Sequence, residues 1–182
     1  YIADWFNPII GHYQASFRHP DRDKTHGRIW RITAKNRPLA KAPDLSKMTV
    51  AELCRQLKSD WRYVRYQAKR RLADLPKDKV IPIITNWVDS LDRSDPNLEH
   101  HLYEAIGVFE SHEVVVPRLL DRLLKAKDYR ARAYATRIVG RWHDRLKAPL
   151  DLLERRVTDE RARVRLEAVV ACSDIHSARS MT

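Results

Sequence analysis

Val64-Arg65-Tyr66-Gln67-Ala68 returns as Ala131-Arg132-Ala133-Tyr134-Ala135 and again as Val164-Arg165-Leu166-Glu167-Ala168. Between the first two, Leu102 followed by Ala105 holds the same place with the arginine missing. The alanines at 68, 105, 135 and 168 are spaced by 37, 30 and 33 residues, near the short end of the range used by repeats made of two helices. An alanine there lets paired helices approach closely. The segment before each one supplies apolar knobs at helical spacing: Leu53 and Leu57, Ile83 and Trp87, Leu119 and Leu123, Leu150 and Leu153. Each second helix follows an aspartate (Asp60, Asp95, Asp128, Asp159), which reads as its N-cap.

The fold expected over residues 48–182 is therefore mainly α: an α-solenoid of about four helix pairs of the HEAT type. Residues 1–36 read differently, as a short β segment with strand-like runs at Tyr1–Phe6, Ile9–Gln14 and Arg28–Thr33. So small a unit has too little interior for Trp5, Phe6, Tyr13, Phe17 and Trp30, so it is expected to pack on other chain. Residues 37–47 carry Arg37-Pro38 and Ala42-Pro43 and read as an extended linker.

Four glycines in 182 residues disfavour an all-β protein, and 32% charged residues suit exposed helix faces. No apolar run approaches the ~18 residues needed to span a bilayer, and no targeting leader is visible at Tyr1-Ile2-Ala3-Asp4. Cys54 and Cys172 form no Cys-x-x-Cys pair, so zinc or covalent haem is not expected in this chain, and both read as helix-buried thiols. The net charge is +11, of which +5 falls in residues 1–47 and +6 in the rest. Such a field steers nucleic acid, acidic proteins or anionic surfaces without choosing among them.

The run DWFNPIIGHYQASFRHPDRDKTHGRIWRITAK at 4–35, followed by a Pro-rich linker and HEAT-like repeats, resembles the planctomycete and verrucomicrobial putative membrane-bound dehydrogenases. In that family a β-propeller similar to quinone-dependent sugar dehydrogenases ends in such a His-Gly-Arg-Ile-Trp-Arg strand. HEAT repeats follow, and often a cytochrome c-like domain. The resemblance implies that residues 1–36 are the end of a propeller blade. It implies a fragment of a larger periplasmic or extracytoplasmic protein, with quinone or haem in the parent and no cofactor in this chain. The expected role is a non-catalytic interaction and spacer module, its partner a protein or the missing domains.

Three sets of residues are candidate sites. His12, Arg18, Asp23, His26 and Arg28 cluster in the β segment; they read either as anionic-cofactor ligands or as a turn organised by Asp21 and Asp23 beside an exposed strand. No metal site is expected from them. In the repeats, Arg65, Arg132 and Arg165 lie about a turn after Asp60, Asp128 and Asp159 and are expected to form a ladder of ion pairs within or between repeats. Arg62, Lys69, Arg70, Arg130, Arg137 and Arg141 also lie on second helices, which line a solenoid's concave side. With Tyr66, Tyr134 and Trp142 to stack on bases, they define the alternative reading, a nucleic-acid-binding module. Twenty acidic residues in the same segment favour a charge-balanced helix face instead. No catalytic nucleophile or carboxylate is indicated.

Overall fold

Helix ends and helix pairs account for most of the architecture. The structure, a computed structural model, describes residues 1–4, 19–21, 23, 25–39 and 41–180. The chain forms two compact units, residues 1–42 and 43–182.

In the first unit, β1 (Ile2–Asp4) pairs antiparallel with β2 (Arg28–Trp30), with Ala3 opposite Ile29. Both strands are shorter than their sequence runs. Tyr1, Ile2, Ile29, Trp30 and Ile32 are exposed, so this ribbon has no core of its own among the described residues. The third run, Ile9–Gln14, and the rings of Trp5, Phe6, Tyr13 and Phe17 lie outside the described residues.

The second unit is four consecutive helix pairs: α1 (Val50–Gln56) with α2 (Arg62–Asp74), α3 (Lys77–Asp89) with α4 (Leu98–Ser111), α5 (Pro117–Leu124) with α6 (Tyr129–Arg141), and α7 (Pro149–Glu154) with α8 (Ala162–Ser173). The second helices α2, α4, α6 and α8 pack one on the next in a continuous row. Ala68, Ala105, Ala135 and Ala168 are all fully buried, as a residue must be where two helices close to short range. Closest of all is the α6–α8 crossing. A Cβ added at Gly140 would lie 2.9 Å from both Cα and Cβ of Ala171. One apolar cluster runs from Leu53 to Ala171 through all four pairs. In α3 the core face is turned from its expected position: Val80 and Ile84 are buried, and Ile83 and Trp87 only pack on the edge of the cluster.

The caps depart from the aspartate rule. Asp128 is the N-cap of α6 and accepts from the N–H of Arg130 at 2.9 Å. Asp95 and Asp159 sit two residues ahead of the caps Asn97 and Arg161 and accept from those residues' own N–H groups, at 2.8 and 3.0 Å. Both make Asx turns that fold the intra-pair loop and leave the helix cap to the next residues. Asp60 caps nothing: Trp61 is the N-cap of α2, with no side-chain cap bond. The opening of α1 does carry a full capping box between Thr49 and Glu52. At the end of α4, Glu113 adopts a left-handed φ of 55°. The N–H groups of Glu113 and Val114 return to the carbonyls of Glu110 and Phe109 at 3.0 Å each, a Schellman closure usually given to glycine. Arg145 holds this glutamate, bonding its carboxylate at 2.8 Å and its carbonyl at 3.2 Å.

Replacing Gly140 with valine is expected to push α8 off α6 and lower stability by about 2 kcal/mol, read as a drop in the urea midpoint.

Candidate functional site

Reversing the chain between paired helices strands the last carbonyls of the first helix without N–H partners. In three of the four repeats the arginine of the sequence motif supplies them. Arg65 Nη1 donates to the carbonyls of Ser59 and Asp60 at 2.7 and 3.1 Å. Arg132 Nη1 does the same to Ala126 and Lys127 at 2.8 and 2.9 Å, and Arg165 Nη1 to Asp159 and Glu160 at 2.8 and 3.1 Å. Every bond spans six or five residues back along the chain.

The rest of the guanidinium reaches the following repeat. Arg65 Nε donates to Glu104 Oε1 at 2.8 Å. Arg132 bonds Asp159 through Nε at 2.9 Å and Nη2 at 3.1 Å, and Glu160 at 3.2 Å. Among the described residues Arg165 makes the turn contacts alone. The ladder therefore differs from its expected membership: Asp60 contributes only a carbonyl, and Asp128 pairs with Arg130 instead of Arg132. Where Leu102 replaces the arginine, its side chain is buried. The link there runs through Glu99, whose carboxylate accepts the N–H groups of Lys127 and Asp128 at 2.8 Å each. Asp95 joins the first two pairs, with Lys58 Nζ at 3.4 Å and His101 Nε2 at 3.2 Å.

Burial alone would raise the pKa of Asp159. Hydrogen bonds from Arg132 and from the Arg161 N–H, with the charges of Arg132 and Arg156, outweigh it and hold the carboxyl below its ordinary range. Asp128 is lowered chiefly by its hydrogen bond from the Arg130 side chain.

Of the six cations read as anion ligands, Lys69 lies 2.5 Å from Glu104 Oε2, Arg130 lies 2.8 Å from Asp128, and Arg141 lies 3.3 Å from Glu110. Arg70 rests over the ring of Tyr66, 5.9 Å from its centroid. Arg62 and Arg137 have no hydrogen-bonded or ion-paired partner among the described residues. A cavity of about 400 Å³ across α2, α4 and the start of α6 brings Arg62, Lys69 and Arg130 together with Arg65, Tyr66, His100 and Tyr103 over Glu104 and Asp128. Arg70, Arg137 and Arg141 are not in its lining. His100 stacks on Tyr103 at 5.8 Å and Tyr103 meets Tyr134 at 4.8 Å. Two expected stacking rings are unavailable: Trp142 is 0% exposed, and Tyr134 is half-buried with its hydroxyl bonded to Glu110. Glu99, Glu104 and Glu110 escaped sequence reasoning because nothing periodic marks them; each is chosen by a side chain or turn on the neighbouring helix pair.

In the β unit, His12 and Arg18 lie outside the described residues. Asp23 accepts from the Thr25 N–H at 2.9 Å, from the His26 N–H at 3.0 Å and from His26 Nδ1 at 3.0 Å. These bonds, that of Thr25 N–H foremost, bring its pKa down to about 2. Asp23 and His26 are thus brought together as a turn, and Arg28 lies on β2 with its guanidinium 5.8 Å from the Trp30 ring. Among the described residues no three His, Cys, Asp or Glu side chains converge as metal ligands, and no helix is long and apolar enough to cross a membrane. Burial pushes the Cys54 thiol up to about 11, away from thiolate chemistry.

Arg132 and Asp159 are 10% and 6% exposed, so Arg132→Met leaves a buried carboxylate and two carbonyls unpaired. The expected cost is about 3 kcal/mol, against about 1 kcal/mol for Arg165→Met, both read by chemical denaturation. Because the folded pKa of Asp159 is depressed, its contribution is complete above about pH 4 and is lost as pH falls through the lower folded value. Asp159→Asn is expected to lower the melting temperature at pH 7 and to flatten its fall between pH 5 and 2. No protein-family model matches the chain, and no curated protein matches it.

Proposed function

We propose that the helical unit is an interaction and spacer module of a larger extracytoplasmic protein of the propeller and HEAT-repeat dehydrogenase kind, and that it carries no reaction centre itself. The resemblance of residues 4–35 supports the parent. The observation that carries the module reading is the outer face of α8. There Leu166, Val169 and Val170 are 53%, 62% and 50% exposed, four large carbons' width of apolar surface along one side of a helix.

The repeat register says what this face is for. Shifting by 33 residues maps buried Ala133, Thr136 and Gly140, which share the α6 face that meets α8, onto Leu166, Val169 and Ser173. Equivalent positions on α4 meet α6: Tyr103 touches Tyr134, and a Cβ at Gly107 would lie 3.2 Å from the Tyr134 hydroxyl. On α2, Lys69 reaches Glu104. Each second helix presents this row to the next pair, so the occupant of the α8 row is a further helix pair of the same kind. Solenoid ends otherwise need a polar outer face.

A continuous phosphate track, the alternative, has less support. The ladder arginines are committed to carbonyls and carboxylates, and Lys69, Arg130 and Arg141 are each ion-paired.

Intact-mass measurement of the natural gene product is expected to give a value well above 21.4 kDa; a product of that mass would overturn the parent reading. Val169→Glu then tests the face. In the isolated 182-residue chain the change is expected to alter stability by less than about 0.5 kcal/mol. In the natural product, where the row is covered, it is expected to cost about 2 kcal/mol or more. Equal effects in both would remove the docking role.

A further inference from the structure

The geometry points to the α2–α4–α6 groove as a binding site for a single nucleotide unit, a phosphate carried on a planar base. This site is separate from the α8 face and stands or falls independently of it.

Its charge is the first argument. Arg62, Arg65, Lys69 and Arg130 line it against Glu104 and Asp128, an excess of two positive charges with histidine neutral. Both carboxylates already have cations: Glu104 takes Arg65 and Lys69, at 2.8 and 2.5 Å, and Asp128 takes Arg130. The floor is therefore neutralised, and the remaining positive charge lies toward solvent. Arg62 is exposed and holds no partner among the described residues. The Arg130 guanidinium is exposed too and can keep one edge on Asp128 while turning another to a phosphate oxygen, as a planar fork of five donors permits.

The ring lining is the second. Tyr66 is half exposed beside Arg62, one turn along α2, with Arg70 behind it. Across the groove His100 lies stacked on Tyr103, their planes 19° apart, and Tyr103 is backed by Tyr134. Two aromatic walls on different helices, each braced from behind, leave a slot suited to a flat ring. The volume of about 400 Å³ falls in the range of small-ligand pockets and suits one nucleotide, not a duplex. Paired cations elsewhere on the row explain why the site is local and does not extend into a track.

The test is calorimetric titration of the 182-residue chain with AMP, adenosine, inorganic phosphate and a single-stranded oligodeoxyadenylate, at two salt concentrations. AMP is expected to bind saturably in the micromolar to low millimolar range, with adenosine and phosphate each at least about tenfold weaker. Tyr66→Ala is expected to weaken AMP about tenfold. Arg62→Ala is expected to weaken it and reduce the salt slope by about one. Both residues are exposed, so melting temperatures should not move. An oligonucleotide binding far tighter per chain than AMP would assign the nucleotide to a strand; equal affinity would assign it to a free nucleotide. No saturable binding of either, or binding that both variants leave unchanged, overturns the proposal.

Discussion

The second unit depends on a guanidinium laid against two carbonyls that a helix end cannot satisfy. A tight turn between antiparallel helices must leave such groups, and burying them unbonded costs about as much as a lost hydrogen bond each. Arg65, Arg132 and Arg165 solve this with the same atom, Nη1, and the same offsets along the chain. Because the guanidinium is a fork, one edge is left over. In Arg65 and Arg132 that edge is directed forward, to Glu104 and Asp159 of the following pair. A device that closes one turn thus also sets the spacing to the next repeat.

That coupling explains the charge of the chain better than a polyanion partner does. Much of the basic excess is internal hardware: arginines hold turns, and carboxylates of the next repeat answer them. The second pair shows that the linkage matters more than the residue. Leu102 cannot reach a carbonyl, yet the junction to the third pair persists through Glu99, now an acceptor for the turn N–H groups of Lys127 and Asp128. Polarity is reversed and the geometry is kept. Close approach between second helices is the other requirement, met by alanines in every repeat and by Gly140 against Ala171 where the crossing is tightest.

What was legible in the sequence follows from this division. A guanidinium answering a local turn has a fixed offset, so Arg65, Arg132 and Arg165 stood out by periodicity, as did the alanines. The partners did not, because Glu104 or Asp159 is selected by how two helix pairs sit together, which no single-chain spacing encodes. The aspartates misled at the caps for a related reason: an Asx turn two residues earlier satisfies a backbone N–H as well as a cap does, and the composition is the same. Trp142 looked like a ring for stacking because it follows Arg141; it is buried since it sits where α6 ends against the core. The groove itself was half legible. Arg62, Lys69 and Arg130 were named as cations, but His100 and Tyr103 gained meaning only when α4 was placed between α2 and α6.

The two ends of the helical unit are built unequally. At the start, Leu45 in the turn Leu45–Lys47 and the following Met48 pack onto the core cluster, and the capping box of Thr49 closes the first helix. That end is dressed by its own chain. At the other end, Arg179 ties the turn Ala178–Ser180 to Asp151 and Glu154 at 2.6 and 3.0 Å, over α7 and not over the Leu166–Val170 row of α8. An open cavity of about 1150 Å³ lies there, lined by Leu150, Leu153, Val169 and Ile175. In a stack whose every second helix beds the next, a covered first face and a bare, apolar last face give the module a direction. Whatever it holds at a distance is joined through α8.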